Sequence, residues 1–236
     1  MRLDKYLVEK GYFESRNRAH EAIKAGKVTV NGKKAKSSMK IDETTVVEVA
    51  EATFYVSRAA RKLEAFLDAY PIPVKGKRAL DIGSSTGGFA QMLLERGAAS
   101  LTCVDVGSDQ LHESIRRDHR VQVFEQTDIR DFRTDAPFEL VTCDVSFISV
   151  LHILDAIDTL AAPGADIVVL FKPQFEVGKE AKRNAKGVVT DDKAIARAQT
   201  QFEARLKERG WEIRAKAPSA LAGKAGNVEW LYWAMK

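Results

Sequence analysis

Cysteine, proline and tryptophan are scarce: two, six and three residues among 236. No apolar run approaches the ~20 residues needed to span a bilayer. The start, Met1-Arg2-Leu3-Asp4-Lys5-Tyr6, lacks the hydrophobic segment of a secretion signal. A cytoplasmic protein with no membrane contact is therefore expected. Cys103 and Cys143 lie in apolar runs that read as buried strands, which predicts core thiols and argues against a disulfide, a metal site or a catalytic nucleophile. With 45% hydrophobic and 30% charged residues the composition is that of an ordinary globular chain, long enough for one large domain or two modest ones.

The net charge of +4 is unevenly spread. Residues 1–40 carry 11 Lys or Arg against four acids, whereas residues 63–236 carry 23 basic and 25 acidic side chains. A basic front end on a nearly neutral body suits a small unit that meets phosphates. Within it, Leu3, Tyr6 and Leu7 follow helical spacing, with Gly11 placed as a left-handed cap. Ser15 is positioned to cap a second helix whose inward stripe is Ala19, Ala22 and Ile23, closed by Gly26. Val28-Thr29-Val30 reads as a strand, Asn31-Gly32 as a hairpin turn, and Val46 to Val49 as a later strand. About 50 residues bury little surface alone, so this module is expected to be marginally stable.

After Glu51 the pattern changes. Ser57 can cap a helix with inward positions Ala59, Leu63, Phe66, Leu67 and Tyr70, stopped by Pro71 and Pro73. Lys62 falls at the edge of that stripe. Strand signals at 78–82, 101–106, 121–124, 140–145 and 167–171 then alternate with helix signals around 89–94, 111–116 and 150–160. A long helix over 192–209 and apolar stretches at 211–213 and 228–233 complete the pattern. The alternation predicts an α/β fold with an open, mostly parallel sheet and helices on both faces, and 179–187 is expected to be a mobile loop.

Asp81-Ile82-Gly83-Ser84-Ser85-Thr86-Gly87-Gly88-Phe89 follows the first strand of this sheet and opens a helix, where such sheets bind ligands. Three residues separate Gly83 from Gly87, unlike the dinucleotide pattern, so a pyrophosphate is disfavoured. Asp105, 24 positions after Asp81, has the reach to accept both hydroxyls of a ribose. Asp128 reads as the end of the third strand, where an adenine edge would lie, with Val106 and Ile129 as flanking contacts. An adenosine ligand with a cationic tail fits this set, and S-adenosylmethionine is such a ligand. The turn alone is equally compatible with a structural role or another nucleotide. Lys62, Asp144, Lys172 and Glu229 stand at the ends of separate elements, and each read singly is a strand-end or surface charge.

Two resemblances sharpen these readings. Arg2-Leu3-Asp4-Lys5-Tyr6-Leu7, Ser15-Arg16-x-x-Ala19 and Gly26-Lys27-Val28-x-Val30-Asn31-Gly32 resemble the small RNA-binding domain shared by a ribosomal small-subunit protein and many pseudouridine synthases. The resemblance implies that Arg2, Lys5, Arg16, Arg18, Lys27 and Lys33 face structured RNA. Lys62, Asp144, Lys172 and Glu229 together match the Lys-Asp-Lys-Glu set of FtsJ-like ribose 2′-O-methyltransferases. Blocks around Tyr55 to Glu64, Asp81 to Phe89, Val104 to Gly107, Asp144 to Ser149, Lys172 to Glu176 and Gly226 to Glu229 resemble the TlyA family, over essentially the whole chain. Three positions depart from it: Ala59-Ala60 replaces a usual Gly-Gly, Ser84 a common Ala, and Asp128 a common Asn.

The resemblance implies an RNA-binding domain over 1–52 and a Rossmann-like methyltransferase domain over 53–236. It also implies a methyl transfer from S-adenosylmethionine to a cytidine ribose of ribosomal RNA, with rRNA or a ribosomal subunit as the partner. The chain looks like the shorter members, which modify the large subunit's RNA. A ribose 2′-hydroxyl is a weak acid, so its attack on a sulfonium methyl needs a general base. Lys172 is expected in that role because burial beside a second ammonium disfavours its charged form, while the sequence itself does not choose between Lys172 and Lys62 as the base. Lys62 would tune it, and Asp144 and Glu229 would hold both lysines. Some members of the family are labelled haemolysins; the lack of a signal, an apolar span or a basic amphipathic helix argues against lysis. A non-catalytic ribosome-assembly factor is the other rival, and the complete tetrad speaks against it.

Overall fold

The computed structural model describes residues 1–10, 12–13, 15–42, 44–50 and 55–236. It separates into two compact units, Met1–Phe54 and Tyr55–Lys236. The expected Gly11 cap and the expected boundary after residue 52 lie outside the described residues.

The first unit packs α1 (Leu3–Glu9) and α2 (Arg16–Lys24) against a three-stranded antiparallel sheet of β1 (Val28–Val30), β2 (Lys33–Lys34) and β3 (Val47–Val49), with β1 central. Leu3, Leu7, Ala19, Ala22, Ile23, Val28, Val30 and Ile41 make its core. The Ser15 hydroxyl accepts from the Arg18 amide and so caps α2 as expected. Asn31 and Gly32 both have positive φ, 50° and 71°, which matches the right-handed twist of the two strands they join.

The second unit begins with α3 (Arg58–Ala69) and continues through β4 (Arg78–Ile82), α4 (Gly88–Glu95), β5 (Ser100–Val104), α5 (Glu113–Arg116), β6 (Val121–Phe124) and β7 (Phe138–Cys143). A 3-10 turn, Val150–His152, precedes α6 (Leu154–Leu160), β8 (Ala161–Phe171), α7 (Pro173–Glu176), α8 (Asp192–Glu208), β9 (Glu212–Pro218) and β10 (Trp230–Met235). The seven strands run in the order β6-β5-β4-β7-β8-β10-β9. The first five are parallel, and β10 is antiparallel to both β8 and β9. Central strands buried on both faces explain the continuous apolar runs of β7 and β8. Phe171, Phe202 and Tyr232 meet with ring centroids 5.0 to 5.9 Å apart and tie α8 to the sheet.

Several local expectations are corrected. Ser57 occupies the N-cap of α3, but its hydroxyl makes no capping bond. The buried stripe of α3 is Ala60, Lys62, Leu63, Phe66 and Leu67, so Ala60 and Lys62 turn inward where Ala59 and Tyr70 were expected. The third strand ends at Phe124, four residues before Asp128, which instead sits in the following loop. The 179–187 stretch is a loop, as expected, and is laced by hydrogen bonds. Arg183 donates to the carbonyls of Gly178, Lys179 and Ala181, and the Asn184 side chain accepts from the amides of Lys186 and Val188.

The start of α4 presses on the start of α3. A Cβ at Gly88 would lie 2.2 Å from Ser57 Oγ, 2.8 Å from the Ala60 amide nitrogen and 3.0 Å from the Ala59 Cβ. The Ala59-Ala60 pair thus crowds a contact that only glycine at 88 relieves. Gly88→Ala is expected to destabilise the second unit by roughly 1–3 kcal/mol, the usual cost of overpacking, as read by chemical denaturation.

Candidate active site

Strand ends create the site because β4, β5, β7 and β8 are parallel and release their carboxyl-terminal loops on one edge. Two cavities meet there. The first, about 380 Å³, is lined by Gly83, Ser85, Asp105, Val106, Asp128 and Ile129 together with Gln110, Phe147 and Ile148. The second, about 570 Å³, is lined by Ser84, Thr86, Gly88 and Phe89 with Ser57, Arg58, Lys172 and Lys224. Gly83, Ser85, Asp144 and Ser146 belong to both. The glycine-rich turn is therefore a partition, one side facing each cavity.

The turn's geometry follows from close approach. Gly83 has φ 75°, and a Cβ there would stand 2.8 Å from the Asp144 carbonyl oxygen. Gly87 has φ 91°; its missing side chain leaves room for Leu111 and Ile115, and it lines neither cavity. The Asp105 carboxylate is aimed by two backbone donors, the amides of Ser85 at 2.8 Å and Gly107 at 2.7 Å. Asp128 is held in an ion pair by Arg130, whose guanidinium keeps the carboxyl at about 2, so it stays ionised at the rim of the first cavity.

Asp81 behaves differently from the rest of its motif. It is fully buried inside β4 and faces neither cavity, and the Thr142 hydroxyl donates to it at 2.7 Å. Burial pushes its carboxyl up to about 7, against the Thr142 hydrogen bond. Its contribution to a ligand site is indirect, through the strand that carries Gly83.

Two buried ion pairs form the polar centre. Lys62 Nζ lies 2.6 Å from Glu229 Oε2, and Lys172 Nζ lies 2.6 Å from Asp144 Oδ1. Each lysine thus has its own carboxylate, Glu229 for Lys62 and Asp144 for Lys172. Lys172 also donates to Ser146 Oγ at 2.9 Å, and Gln174 Nε2 donates to Glu229 Oε1 at 3.0 Å. Lys172 and Asp144 line the cavities, whereas Lys62 and Glu229 lie behind them. Glu176, one helical turn beyond Lys172, accepts from the Ser149 hydroxyl and the Val150 amide, which laces the loop after β7 to α7. Between them Phe147, 93% exposed and at φ 67°, rests against Phe175 at 5.4 Å. Ser146, Phe147, Gln174 and Gln110 were missed because only their place beside motif residues, with no pattern of their own, could have flagged them.

In the first unit the six expected RNA contacts divide. Arg2 and Arg16 both grip Asp4, at 3.0 and 2.8 Å, and hold its carboxyl well below the usual range. Lys5 pairs with Glu9 and Arg18 with Glu21 on helix surfaces, Lys27 is half-buried, and Lys33 is exposed on β2.

Residues 55–236 match the model of the FtsJ-like methyltransferases, and residues 1–47 match the S4 domain. The chain belongs to the FtsJ-like methyltransferase family. Within it, the chain is 44% identical over 257 aligned residues to the 23S rRNA (cytidine-2′-O)-methyltransferase TlyA of Campylobacter jejuni, covering all of both proteins. It is 43% identical to the 16S/23S rRNA (cytidine-2′-O)-methyltransferase TlyA of Mycobacterium tuberculosis, covering 98% of this chain and 88% of that one. The TlyA resemblance of the motifs is thus a family relationship. A solved Streptococcus thermophilus structure that carries a hemolysin label superposes with a TM-score of 0.74 at 34% identity, over 100% of this chain and 88% of that one. An S-adenosylmethionine-dependent methyltransferase from Mesorhizobium loti shares the fold, with a TM-score of 0.56 at 17% identity over 77% of this chain and 100% of that one.

Burial of Asp81 has a measurable consequence. Its native pKa of about 7 exceeds the ~3.9 of an unfolded aspartate, so the native state binds the extra proton between those values. The stabilisation from the neutral form is complete below ~4 and is lost as pH rises towards 7. Denaturant unfolding of wild type and Asp81→Asn across pH 4–8 should show wild type losing stability relative to the variant over that window, with parallel curves above it.

Proposed function

We propose that the protein transfers the methyl group of S-adenosylmethionine to the 2′-hydroxyl of a cytidine in ribosomal RNA, with the large-subunit RNA as substrate. The observation that carries this reading is the shared wall: Asp144 and Ser146 face both cavities, and Lys172, bound to both, faces the second. Methyl transfer requires a donor and an acceptor hydroxyl to meet across one boundary beside a group that accepts a proton.

The first cavity suits the cofactor. Asp105, aimed by two amides, can accept both ribose hydroxyls; Val106, Ile129 and Ile148 offer apolar walls to a flat base; and the ionised Asp128 can accept from an exocyclic amine. When bound, S-adenosylmethionine supplies a sulfonium-activated methyl group. The nucleotide's ribose enters the second cavity, where Lys172, after its ammonium has released a proton to solvent, takes the proton of the 2′-hydroxyl on the neutral amine as the ribose oxygen attacks. Asp144 and Ser146 fix the Lys172 amine, so the base is positioned before the substrate arrives. Lys62 acts from behind by holding Glu229, which in turn orients Gln174. Ser84 faces the second cavity, on the nucleotide side of the turn.

The first unit, as an S4 domain with a basic surplus, is assigned the capture of rRNA. Lys33 and the outward parts of Lys5 and Arg18 are its phosphate contacts, and Arg2 and Arg16 do double duty by organising Asp4. The hemolysin label on one similar structure finds no counterpart in the helices: among the described residues none is long and apolar enough to cross a membrane.

Lys172→Ala should lower the single-turnover methylation rate by at least ~10²-fold, as expected for loss of a general base, while calorimetric binding of S-adenosylmethionine is kept. Near-wild-type turnover in that variant would remove Lys172 from the base role. Mapping 2′-O-methylcytidine in both rRNAs, with and without the gene, should show a loss confined to the 23S molecule. Deleting residues 1–52 should weaken rRNA binding and flatten its salt dependence with cofactor affinity unchanged; equal loss of both affinities would contradict the division of labour.

A further inference from the structure

The second cavity holds more positive charge than proton transfer uses. Arg58, Lys172 and Lys224 line it against a single carboxylate, Asp144, and that carboxylate is committed to Lys172. Among the described residues neither Arg58 nor Lys224 forms an ion pair, and both are exposed at the cavity wall. They are also not incidental surface cations, because the chain is built to bring them together. Arg58 stands on the first turn of α3, and its guanidinium donates to the Ala222 carbonyl at 3.3 Å. Lys224 lies two residues further on, in a loop closed by the hydrogen bonds of Gly223 N to Asn227 O and of Gly226 N to Gly223 O. That loop packs down on the tetrad. A Cβ at Gly223 would fall 2.5 Å from Glu229 Oε1, so a side chain there would displace the carboxylate that holds Lys62.

We propose that Arg58 and Lys224 together grip the phosphodiester on the 3′ carbon of the nucleotide being methylated. The proposal rests on the reading of Lys172 as the group that receives the ribose 2′-hydroxyl. In a ribonucleotide that hydroxyl and the 3′-phosphodiester occupy adjacent carbons of one ring. A cavity that places the hydroxyl beside Lys172 must accept an anion next to it, and Asp144 would repel that anion unless cations stand opposite. Arg58 offers a planar fork for two phosphate oxygens and Lys224 a mobile point charge. The pair carries no base information; its effect is to fix the register of the ribose, the part that phosphate contacts play in nucleic-acid recognition. The other anion that could use these cations is the carboxylate of the cofactor's amino-acid tail, and the two sources separate experimentally.

The test uses the full chain with Arg58→Ala, Lys224→Ala and both together. Calorimetry with S-adenosylmethionine should give affinities within about twofold of wild type; a tenfold loss would assign the cations to the cofactor and overturn the proposal. Each single variant should raise KM for rRNA roughly tenfold, in line with a lost charge-assisted contact. The double variant should flatten the slope of log affinity against log salt by ~0.7–0.9, the release from one phosphate. A change twice that size means two separate phosphates and overturns the shared grip. Placement at the target comes from a ligated rRNA bearing one neutral methylphosphonate 3′ to the mapped cytidine. Wild type should lose roughly tenfold in kcat/KM on this RNA and the double variant nothing further. Equal use of both RNAs by wild type, or losses that multiply, would refute the assignment. Failure of the underlying reading is distinguishable, because it would appear as retained methylation in Lys172→Ala.

Discussion

Two lysine ammonium groups buried at the edge of a sheet are an electrostatic cost that matched carboxylates offset. Removing a charge from water costs several kcal/mol even after relaxation, and breaking such a pair leaves the other charge stranded. Lys62 is 8% and Lys172 9% exposed, and each has a carboxylate at 2.6 Å. The four partners come from α3, the end of β7, the end of β8 and the segment before β10. The pairs therefore tie together the elements from which the site is built, and any rearrangement that separated β7 from β8 or α3 from β10 would expose an unpaired charge.

Parallel strand order makes this convergence possible. With β4 between β5 and β7, the glycine-rich turn after β4 runs between the loops after its two neighbours. It touches the Asp105 side through Ser85 and the Asp144 side through Gly83. One turn thereby separates the first cavity from the second, and a substitution at Gly83 would press on the backbone of Asp144 itself. The hydrogen bonds of Glu176 to Ser149 and Val150 fix the loop after β7 from its far end, so Asp144, Ser146 and Phe147 are held between two anchored points.

Much of this was legible because the signals were local or came in sets. The limits of β4 and β6 agree with the apolar runs at 78–82 and 121–124, and Asn31-Gly32 forms the turn its chemistry demands. The tetrad is uninformative residue by residue and becomes readable only as an ordered set. What escaped depends on partners that no residue pattern announces. Nothing near Asp81 announces that Thr142 donates to one of its oxygens and that it faces away from both cavities. Nothing near Arg2 or Arg16 shows that Asp4 draws both of them. Ser57 has the identity of a helix cap, yet the packing of Gly88 against it sets its surroundings. The lacing of 179–187 depends on carbonyls that carry no sequence signal.

Net charge illustrates the same limit from the opposite direction. The surplus of seven positive charges in the first 40 residues marks a unit suited to meeting phosphates, and by its sum alone the slightly acidic remainder is exempt from that work. A domain sum averages over the surface, whereas a phosphate responds to the few charges within a Debye length, about 10 Å at 0.1 M salt. Arg58 and Lys224 face one cavity, and the acids that cancel them in the sum are spread elsewhere or committed, as Asp144 and Glu229 are, to buried lysines. Pairing inside the tetrad thus removes two carboxylates from the field that an approaching anion meets. The same ion pairs that make burial of Lys62 and Lys172 tolerable also leave Arg58 and Lys224 as the uncompensated charges lining the second cavity, so the stability of the site and its electrostatics have one physical cause.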